Sequence, residues 1–346
     1  MKFGTFVFPV VPDPTKDGQG IQDALEEARV SEELGMDAVW VAEHHFDGNC
    51  VYVDPISFAA ALCTLTKRVE IGSAVIKASL HHPIRLAEQI SILDNMSKGR
   101  FIAGLGKGSQ LNTYEYEAFE VPPGEATERF DETEEILLKS WAGRPVEHHG
   151  KHWNFKFPIC RPLPWTKPHP RYLRAVSSEE STLIQAKKGR PFLMSGPSEE
   201  TIKRVAQVRE TMRAAGFDEA HIARTIGESW VWRHIYVAET DAEAKDIGMK
   251  ALDAYVTYRE KLGLGSTFMK IFRESLDAGR APRGFLFGSP QRVIDELAAL
   301  DAAGVPNIII RFAIGPMTLE QRLASMRIFM DKVAPVLRAR QKAAAD

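Results

Sequence analysis

The sequence predicts a (β/α)8 barrel, and three observations support this fold class. Short apolar runs alternate with amphipathic helical patterns along the chain, which is typical of parallel α/β folds. Eight strand–helix units can be counted, and no low-complexity linker divides them. The length of 346 residues is normal for one barrel with insertions. We therefore expect a single domain over residues 1–346, with a doubly wound sheet as the alternative, because strand order cannot be read from a sequence.

The predicted elements follow one another in the order that a barrel requires. Asp54 and Pro55 supply an N-cap and a helix-opening proline after the second strand, and Pro83 opens the helix after the third. Thr318 and Gln321 cap the last helix. The predicted strands cover residues 2–8, 38–43, 69–76, 100–105, 172–177, 191–195, 229–238 and 307–312. Two long stretches are left as excursions from the barrel, at residues 112–171 after strand four and 262–288 after strand seven.

Composition argues against several classes of protein. The formal net charge is −2 with acids and bases interspersed, which does not support a nucleic-acid groove. Three widely spaced cysteines, Cys50, Cys63 and Cys160, argue against a disulfide framework and favour a reducing compartment. The first residues are typical of a strand rather than a signal peptide, and no run of 18 apolar residues occurs. We expect a cytoplasmic protein without a membrane span.

Two histidines follow the second strand in the segment VAEHHF. Barrels carry their active sites where strands hand over to helices, so this position is a candidate site. Successive strand residues face opposite sides, so only one of the two points into the barrel, and we assign His44 to that role. The alternative is that both only satisfy local backbone groups. His81 and His82, in SLHHPIR, are interpreted as structural, His82 as a helix cap and His81 at the rim.

The four histidines also raise the hypothesis of a metal-dependent hydrolase. Adjacent histidines on one strand point in opposite directions, which suits a shared metal poorly. Neither an H-x-H spacing nor an H-E-x-x-H motif is present. The sequence therefore predicts no metal site.

Two further segments favour phosphate binding at the same end of the barrel. GLGKGS at 104–109 combines glycines, which allow close backbone approach, with the charge of Lys107. AVSSEEST at 175–182 leads into a helix whose first amides, with Ser178 and Ser181, could surround a phosphate. A tight turn and an ordinary helix cap are the simpler interpretations. Glu179 and Glu180 suit the first turn of a helix but would repel an anion if they turned inward.

The chain resembles the luciferase-like flavin monooxygenases, in particular the bacterial luciferase α subunit, along nearly its whole length. The resemblance lies in MKFGTF at the start, EHHF at 43–46, HPIRLAEQISILDNMSKGRF at 82–101 and SMRIFMDKVAPVLRARQ at 325–341. It implies a barrel that takes reduced FMN from a separate flavin reductase and reacts it with dioxygen. A C4a-peroxyflavin then oxygenates a small organic substrate. The resemblance also implies a homodimer.

The resemblance carries over to particular residues. The active-site histidine of the family falls on His44. A non-prolyl cis peptide at the end of strand three, against which the flavin ring packs, falls on Ala74–Val75. The phosphate-binding arginine is replaced by Lys107, which keeps the charge but loses the bidentate fork. The phosphate-binding hydroxyls match Ser178 and Ser181.

Two positions depart from luciferase. Gly106 stands where luciferase has a reactive cysteine near the flavin, and Ser177 stands where it has a glutamate ahead of the phosphate serine. The resemblance then implies that Gly106 enlarges the space beside the flavin ring and removes the thiol. Oxygenations other than light emission from a long-chain aldehyde are therefore favoured.

Competing functions remain at this point. A barrel of the same superfamily could use a deazaflavin hydride carrier and no oxygen, or the chain could be a non-catalytic partner subunit. The substrate is not named by the sequence. Phe8, Phe46, Trp230 and Trp232 either line an apolar pocket or pack in the core. We expect residues 262–288, rich in glycine, to form a mobile lid.

Overall fold

The computed structural model describes residues 1–109, 112–264, 267–305 and 307–345. The strands are β1 Lys2–Phe6, β2 Ala38–Val41, β3 Glu70–Ser73, β4 Ile76–Lys77, β5 Phe101–Gly106, β6 Val146–His149, β7 Asn154–Phe157, β8 Arg171–Val176, β9 Phe192–Ser195, β10 Trp230–Val237, β11 Phe285–Gly288 and β12 Asn307–Arg311. The helices are α1 Asp17–Glu33, α2 Pro55–Leu65, α3 Pro83–Ser97, α4 Thr113–Ala118, α5 Ala126–Trp141, α6 Glu179–Lys187, α7 Ser198–Ala214, α8 Glu219–Glu228, α9 Asp241–Lys261, α10 Thr267–Asp277, α11 Pro290–Ala302, α12 Leu319–Ile328 and α13 Ala334–Ala345.

The strand order is that of a (β/α)8 barrel. Hydrogen-bonded neighbours follow the order β10-β12-β1-β2-β3-β5-β8-β9, and β9 pairs again with β10. β4 follows β3 after a short break and, like β3, pairs with β5. β11 is an additional strand that pairs with β10. The predicted fold class is therefore confirmed.

The chain divides into two compact units. The first comprises Met1–Trp40, Asp47–Val51 and Val176–Asp346, and the second comprises Val41–Phe46 and Tyr52–Ala175. In the first unit β10 pairs in parallel with β9, β11 and β12, and β1 pairs in parallel with β12 and β2. Phe3, Val231 and Ile308 of one sheet face pack there with helix residues such as Leu297 and Phe329. That the whole chain is one domain stays a prediction.

The second unit holds β3, β4, β5 and β8, with β5 pairing in parallel with the other three. The predicted first excursion lies here. It contains the short helix α4, the helix α5 and an antiparallel hairpin of β6 and β7, which the sequence did not predict. A small buried cluster of Tyr116, Val121 and Ala126, with Leu80 packed against it, lies beneath the start of this excursion.

The predicted second excursion extends too far toward the C-terminus. Its last residues, Phe285–Gly288, form β11 and pair with β10, so they belong to the sheet. Its middle is helical in α10, while residues 265 and 266 lie outside the described part of the chain. The lid function of this segment stays a prediction.

Most predicted helix starts are observed. The Asp54 side chain accepts from the Ile56 amide ahead of α2, and Thr318 with Gln321 forms the reciprocal capping box of α12. His82 occupies the N-cap position of α3, but its side chain makes no capping hydrogen bond. Its ring instead packs edge-on against Trp153, with 4.6 Å between ring centroids. The interpretation of His82 as a side-chain cap is therefore wrong.

Across the described ranges, none of the helices combines the length and hydropathy that crossing a bilayer requires.

Candidate active site

The end of β2 places three polar side chains at the carboxyl edge of the sheet, in the second unit. Glu43, His44 and His45 follow the last residue of the strand. Glu43 is buried, whereas the His44 side chain keeps 27% of its surface exposed. The His44 amide donates to the Val53 carbonyl at 3.3 Å, which fixes the backbone at this turn. His44 is therefore held at a partly open position, as a residue that meets a ligand must be.

Glu43 binds two imidazoles at once. Its Oε1 lies 3.0 Å from Nε2 of His45, and its Oε2 lies 3.0 Å from Nε2 of His81. The Lys77 amide donates to the same Oε2 at 2.6 Å. Burial would raise the pKa of Glu43, but these hydrogen bonds outweigh it and lower that pKa well below its ordinary value. These contacts favour the anionic form of Glu43, and they make His81 a partner of that carboxylate.

His81 responds to Glu43 in the opposite direction. Burial would lower the pKa of His81, but the hydrogen bond and the attraction of Glu43 outweigh it, so the pKa is raised. The charged form of His81 is accordingly stabilised beside the carboxylate.

A buried ion pair lies next to this group. The ammonium of Lys77, at the end of β4, contacts the carboxylate Oε2 of Glu115 on α4, and both side chains are almost completely buried. The other oxygen of Glu115 accepts from the His45 amide at 3.0 Å and lies 3.9 Å from Nδ1 of His44. Glu115 therefore places a negative charge beside the His44 ring.

The third predicted strand is interrupted where the resemblance implied a cis peptide. β3 ends at Ser73, β4 begins at Ile76, and the Ala74–Val75 bond between them is cis. The Ala74 amide donates to Val41 at 2.7 Å, and the Glu43 amide donates to Val75 at 3.2 Å. This connection brings Val75 beside Glu43. The contact of Ala74 and Val75 with a flavin stays a prediction.

Gly106 does not open a space, contrary to what the resemblance implied. A Cβ atom built on Gly106 would lie 2.7 Å from Cγ2 of Val75, because the valine side chain already fills that volume. Gly108 is also required as glycine. Its φ is +85°, and an added Cβ would meet the Tyr116 hydroxyl at 2.5 Å.

Lys107 lies in a loop whose backbone is fixed. Its carbonyl accepts from the Ser79 hydroxyl at 2.7 Å and from the Tyr116 hydroxyl. Its ammonium donates to the Thr127 hydroxyl on α5 at 3.1 Å. The loop after β5 thus presents a lysine at a defined position of the second unit.

Ser178 and Ser181 lie at the start of α6, in the first unit. Ser178 is the N-cap and accepts from the Ser181 amide, while the Ser181 hydroxyl binds back to the Ser178 backbone. Ser177 precedes the cap and is exposed. The carboxylate of Glu179 lies 2.6 Å from the Gln207 amide group and 4.0 Å from the Lys203 ammonium. Both hydroxyls therefore act as a helix cap in this structure.

Within the described ranges, no three histidine, cysteine, aspartate or glutamate side chains are arranged to hold a metal ion.

The comparison with known proteins assigns the family. A family model described as luciferase-like monooxygenase matches residues 1–307. The chain belongs to this family. It is therefore related to enzymes that are oxidoreductases, and the predicted resemblance is confirmed.

Individual relatives align with the chain along almost its whole length. It is 25% identical to the alkanal monooxygenase alpha chain of Photorhabdus luminescens, covering 99% of both chains. It is also 25% identical to the oxygenase component of the flavin-dependent trigonelline monooxygenase of Acinetobacter baylyi, covering 97% of this chain and 95% of that one. The crystal structure of monooxygenase RslO1 from Streptomyces bottropensis superposes with a TM-score of 0.82 at 28% identity, covering 97% and 99%.

Sequence reasoning missed four members of the candidate site. Glu43, Lys77 and Glu115 are buried and charged, and the partly exposed His81 pairs with Glu43. Two signals were present. Lys77 directly follows an apolar predicted strand, where a lysine needs a partner, and Glu43 precedes the two histidines. Glu115 carried no such signal, because its contact with His45 spans 70 residues.

Proposed function

We propose that the protein is the oxygenase component of a two-component monooxygenase, which uses reduced FMN from a separate reductase and dioxygen to oxygenate a small organic substrate. The observation that carries this proposal is the partly exposed His44 at the end of β2, with the Glu115 carboxylate 3.9 Å from its Nδ1. Family membership along the chain supports the same chemistry. The named flavin-dependent relative supports the cofactor class.

The chemistry of the donor groups supports a site for the phosphate of FMN. Ser178 and Ser181 present hydroxyls at the N-terminus of α6, where backbone amides and the helix dipole favour an anion. The carboxylate of the acidic Glu179 accepts a hydrogen bond from Gln207 of α7 at 2.6 Å. Lys107 would add a positive charge from the loop after β5. These residues would hold the phosphate, and Val75 with Ala74 would pack against the ring.

Reduced FMN, when bound, supplies the electrons that activate dioxygen. The chain's own residues supply orientation and a proton. The Glu115 carboxylate, 3.9 Å from Nδ1, would stabilise a positive charge on the His44 ring. His44 would then take or return a proton at Nε2 during oxygen transfer. Lys77 holds the Glu115 carboxylate by an ion pair. Glu43 holds the rings of His45 and His81 by hydrogen bonds.

Two alternatives make different predictions. A deazaflavin-dependent relative would bind a reduced deazaflavin and transfer hydride without consuming oxygen. A non-catalytic partner subunit would bind no substrate and would not bind flavin in a reactive position. The retained His44 and the Lys107, Ser178 and Ser181 donors favour the FMN enzyme over both.

The test is an anaerobic titration of the purified protein with reduced FMN, reduced riboflavin and a reduced deazaflavin, followed by mixing with oxygen. We expect tight binding of reduced FMN, weaker binding of riboflavin and oxygen-dependent reoxidation. Tight binding of the deazaflavin with no response to oxygen would contradict the proposal. Binding of none of the three would support the partner-subunit hypothesis.

The proposal includes a homodimer in the cytoplasm. Ile92 and Met96 of α3 and Leu65 of α2 are exposed apolar side chains of the second unit, which favours a covering partner. The described cysteines are free and buried, which favours a reducing compartment. Light scattering coupled to size exclusion measures the oligomeric state, and a monomeric mass would contradict the dimer.

A further inference from the structure

The sheet of the first unit has two chemically different faces. Residues of β1, β10 and β12 that alternate along each strand pack against helices and are aliphatic or aromatic, such as Phe3, Val231 and Ile308. On the opposite face the same strands carry Phe6, Trp232, His234 and Arg311. The face turned away from the helices therefore carries aromatic and basic side chains.

Arg233 shows the alternation directly. It stands between Trp232 and His234 on β10, and its guanidinium donates to the Thr201 hydroxyl of α7 at 2.9 Å. Burial lowers the pKa of Arg233 to about 10, although the charge of Glu296 opposes this. Arg233 thus belongs to the helix side, and its two neighbours belong to the other.

His234 and Arg311 are paired in register on neighbouring parallel strands. Arg311 is the last residue of β12, so the pair lies at the carboxyl edge, where barrels bind their ligands. The Arg311 guanidinium lies over the Phe8 ring, 4.4 Å from its centroid, and its Nε donates to the Ala313 carbonyl at 2.6 Å. A buried guanidinium in aromatic surroundings is a good receptor for a planar anionic group.

His234 is surrounded by rings. It stacks on Phe285 with 3.7 Å between centroids and meets Trp232 edge-on at 4.3 Å. Among the described residues, none makes a hydrogen bond with its ring nitrogens. Burial, and then the charge of Arg311, lowers the pKa of His234 well below its ordinary value, which favours the neutral ring. It offers one donor and one acceptor to a ligand.

Trp232 adds a donor on the same face. Its indole Nε1 is buried and has no hydrogen-bond partner within the part of the chain that the structure describes. A buried N–H without a partner is costly, and a bound acceptor would relieve that cost. The indole meets Phe6 edge-on at 5.8 Å, so the donor is held by packing.

From these observations we propose that Trp232, His234 and Arg311 form a recognition subsite for the organic substrate, the β10–β12 subsite, which selects planar molecules that carry a carboxylate or a similar anionic oxygen. The indole N–H and the guanidinium would donate to the anionic oxygens, and Phe8 and Phe285 would pack against the planar body. This inference rests on the proposed function only in naming the ligand as the substrate. The binding of such a ligand is independent of flavin.

The test measures ligand binding by calorimetry, in the flavin-free protein and again with saturating FMN. The probes are benzoate, its neutral analogue benzamide, and cyclohexanecarboxylate, which keeps the charge but not the planar ring. We expect saturable binding of benzoate, with each of the other two probes about tenfold weaker or more, because a charge-assisted contact or a ring contact is lost.

Variants assign the effect to residues. Arg311→Gln should abolish the preference for benzoate over benzamide, and Trp232→Phe should weaken benzoate binding severalfold while keeping an aromatic ring. Arg233→Gln, on the helix side of the same strand, is the matched control and should bind benzoate like the wild type. Circular dichroism of each variant verifies folding, and Arg311→Lys, which keeps the charge, should retain part of the preference.

Lack of saturable benzoate binding both with and without FMN would overturn the inference. So would benzoate binding that is unchanged in folded Arg311→Gln and Trp232→Phe, or weakened equally in Arg233→Gln. Benzoate binding in a protein that fails to bind FMN would leave the subsite standing and remove the proposed cofactor. The two proposals therefore fail in distinguishable ways.

Discussion

Oε2 of Glu43 and Nε2 of His81 lie 3.0 Å apart, although 38 residues separate them in the chain. The contact joins the end of β2 to the segment that follows β4. Because Glu43 also accepts from His45, one buried carboxylate contacts a histidine of the pair at 44–45 and a histidine of the pair at 81–82. This arrangement gives the site a measurable pH dependence and a measurable contribution to stability.

Replacing Glu43 should destabilise the fold. Glu43→Gln keeps the size of the side chain but removes the charge and one acceptor from a buried position, so unfolding should cost about 1–3 kcal/mol less. The matched control is Glu147→Gln, since the exposed Glu147 also lies 3.0 Å from a histidine, His149. That control should leave the free energy of unfolding close to the wild-type value, because the pair is exposed and screened by water. Urea denaturation measures both, and equal effects would contradict the role of burial.

The pH dependence of stability has a definite sign at His81. Folding raises the pKa of His81, so its contribution is complete below the unfolded value of about 6.5 and is lost as the pH rises through the folded value. Folding lowers the pKa of Glu43, so that contribution exists above about 4.3 and is lost as the pH falls through the folded value.

His81→Gln should therefore destabilise the protein more at about pH 5.5 than at about pH 8.5. Chemical denaturation of wild type and variant at both pH values measures the difference. A larger loss at the alkaline pH would show that the protonated ring does not stabilise the folded state.

The Lys77–Glu115 pair should show strong coupling. Lys77→Met or Glu115→Leu alone leaves a buried charge without its partner, which costs about 3–5 kcal/mol. The double variant removes both charges, so its loss should be clearly smaller than the sum of the single losses. Denaturation of the four proteins in one cycle measures the coupling. Additive losses would mean that the two charges do not depend on each other.

Much of the fold could be predicted because it depends on local patterns. The strand–helix alternation, the Asp54–Pro55 start and the Thr318–Gln321 capping box are all sequence-local and all observed. β11 was missed because its four residues follow a glycine-rich, charged stretch that is typical of a loop. No pattern of apolar residues predicts the break between β3 and β4. Only the family resemblance implied a special backbone conformation there.

The site was predicted less completely because its contacts are long-range. His44 was assigned from strand alternation. Its charged neighbour Glu115 lies in the first excursion, and local sequence patterns do not predict where that excursion packs. His81 was interpreted as a rim residue because a histidine before a helix-opening proline is commonly structural. The prediction of open space at Gly106 failed because a neighbouring side chain, Val75, is invisible to a residue-by-residue comparison.

The phosphate residues should affect FMN and not riboflavin. Lys107→Ala should weaken FMN binding about tenfold or more, since it removes a charge-assisted contact. Lys151→Ala, which removes an exposed lysine paired with Glu128, is the control and should have no effect. Fluorescence titration with both flavins measures the difference. A loss of affinity for riboflavin as large as that for FMN would show that Lys107 does not bind the phosphate.

His44 should be needed for the reaction more than for binding. General acid–base assistance is worth about 10²–10⁴-fold, so His44→Ala should lower product formation by about that factor. Its affinity for FMN should change far less. His45→Ala removes a ring that binds Glu43 and should chiefly lower stability.

The most direct measurement is the coupling efficiency, the product formed per reduced FMN consumed, for wild type, His44→Ala and His45→Ala. It requires a reductase and a substrate found by screening aldehydes, ketones, terpenes and aromatic compounds. We predict that His44→Ala consumes reduced FMN and oxygen, releases hydrogen peroxide and forms almost no product, while folded His45→Ala stays largely coupled. Normal coupling and rate in His44→Ala, with collapsed flavin binding, would contradict the account.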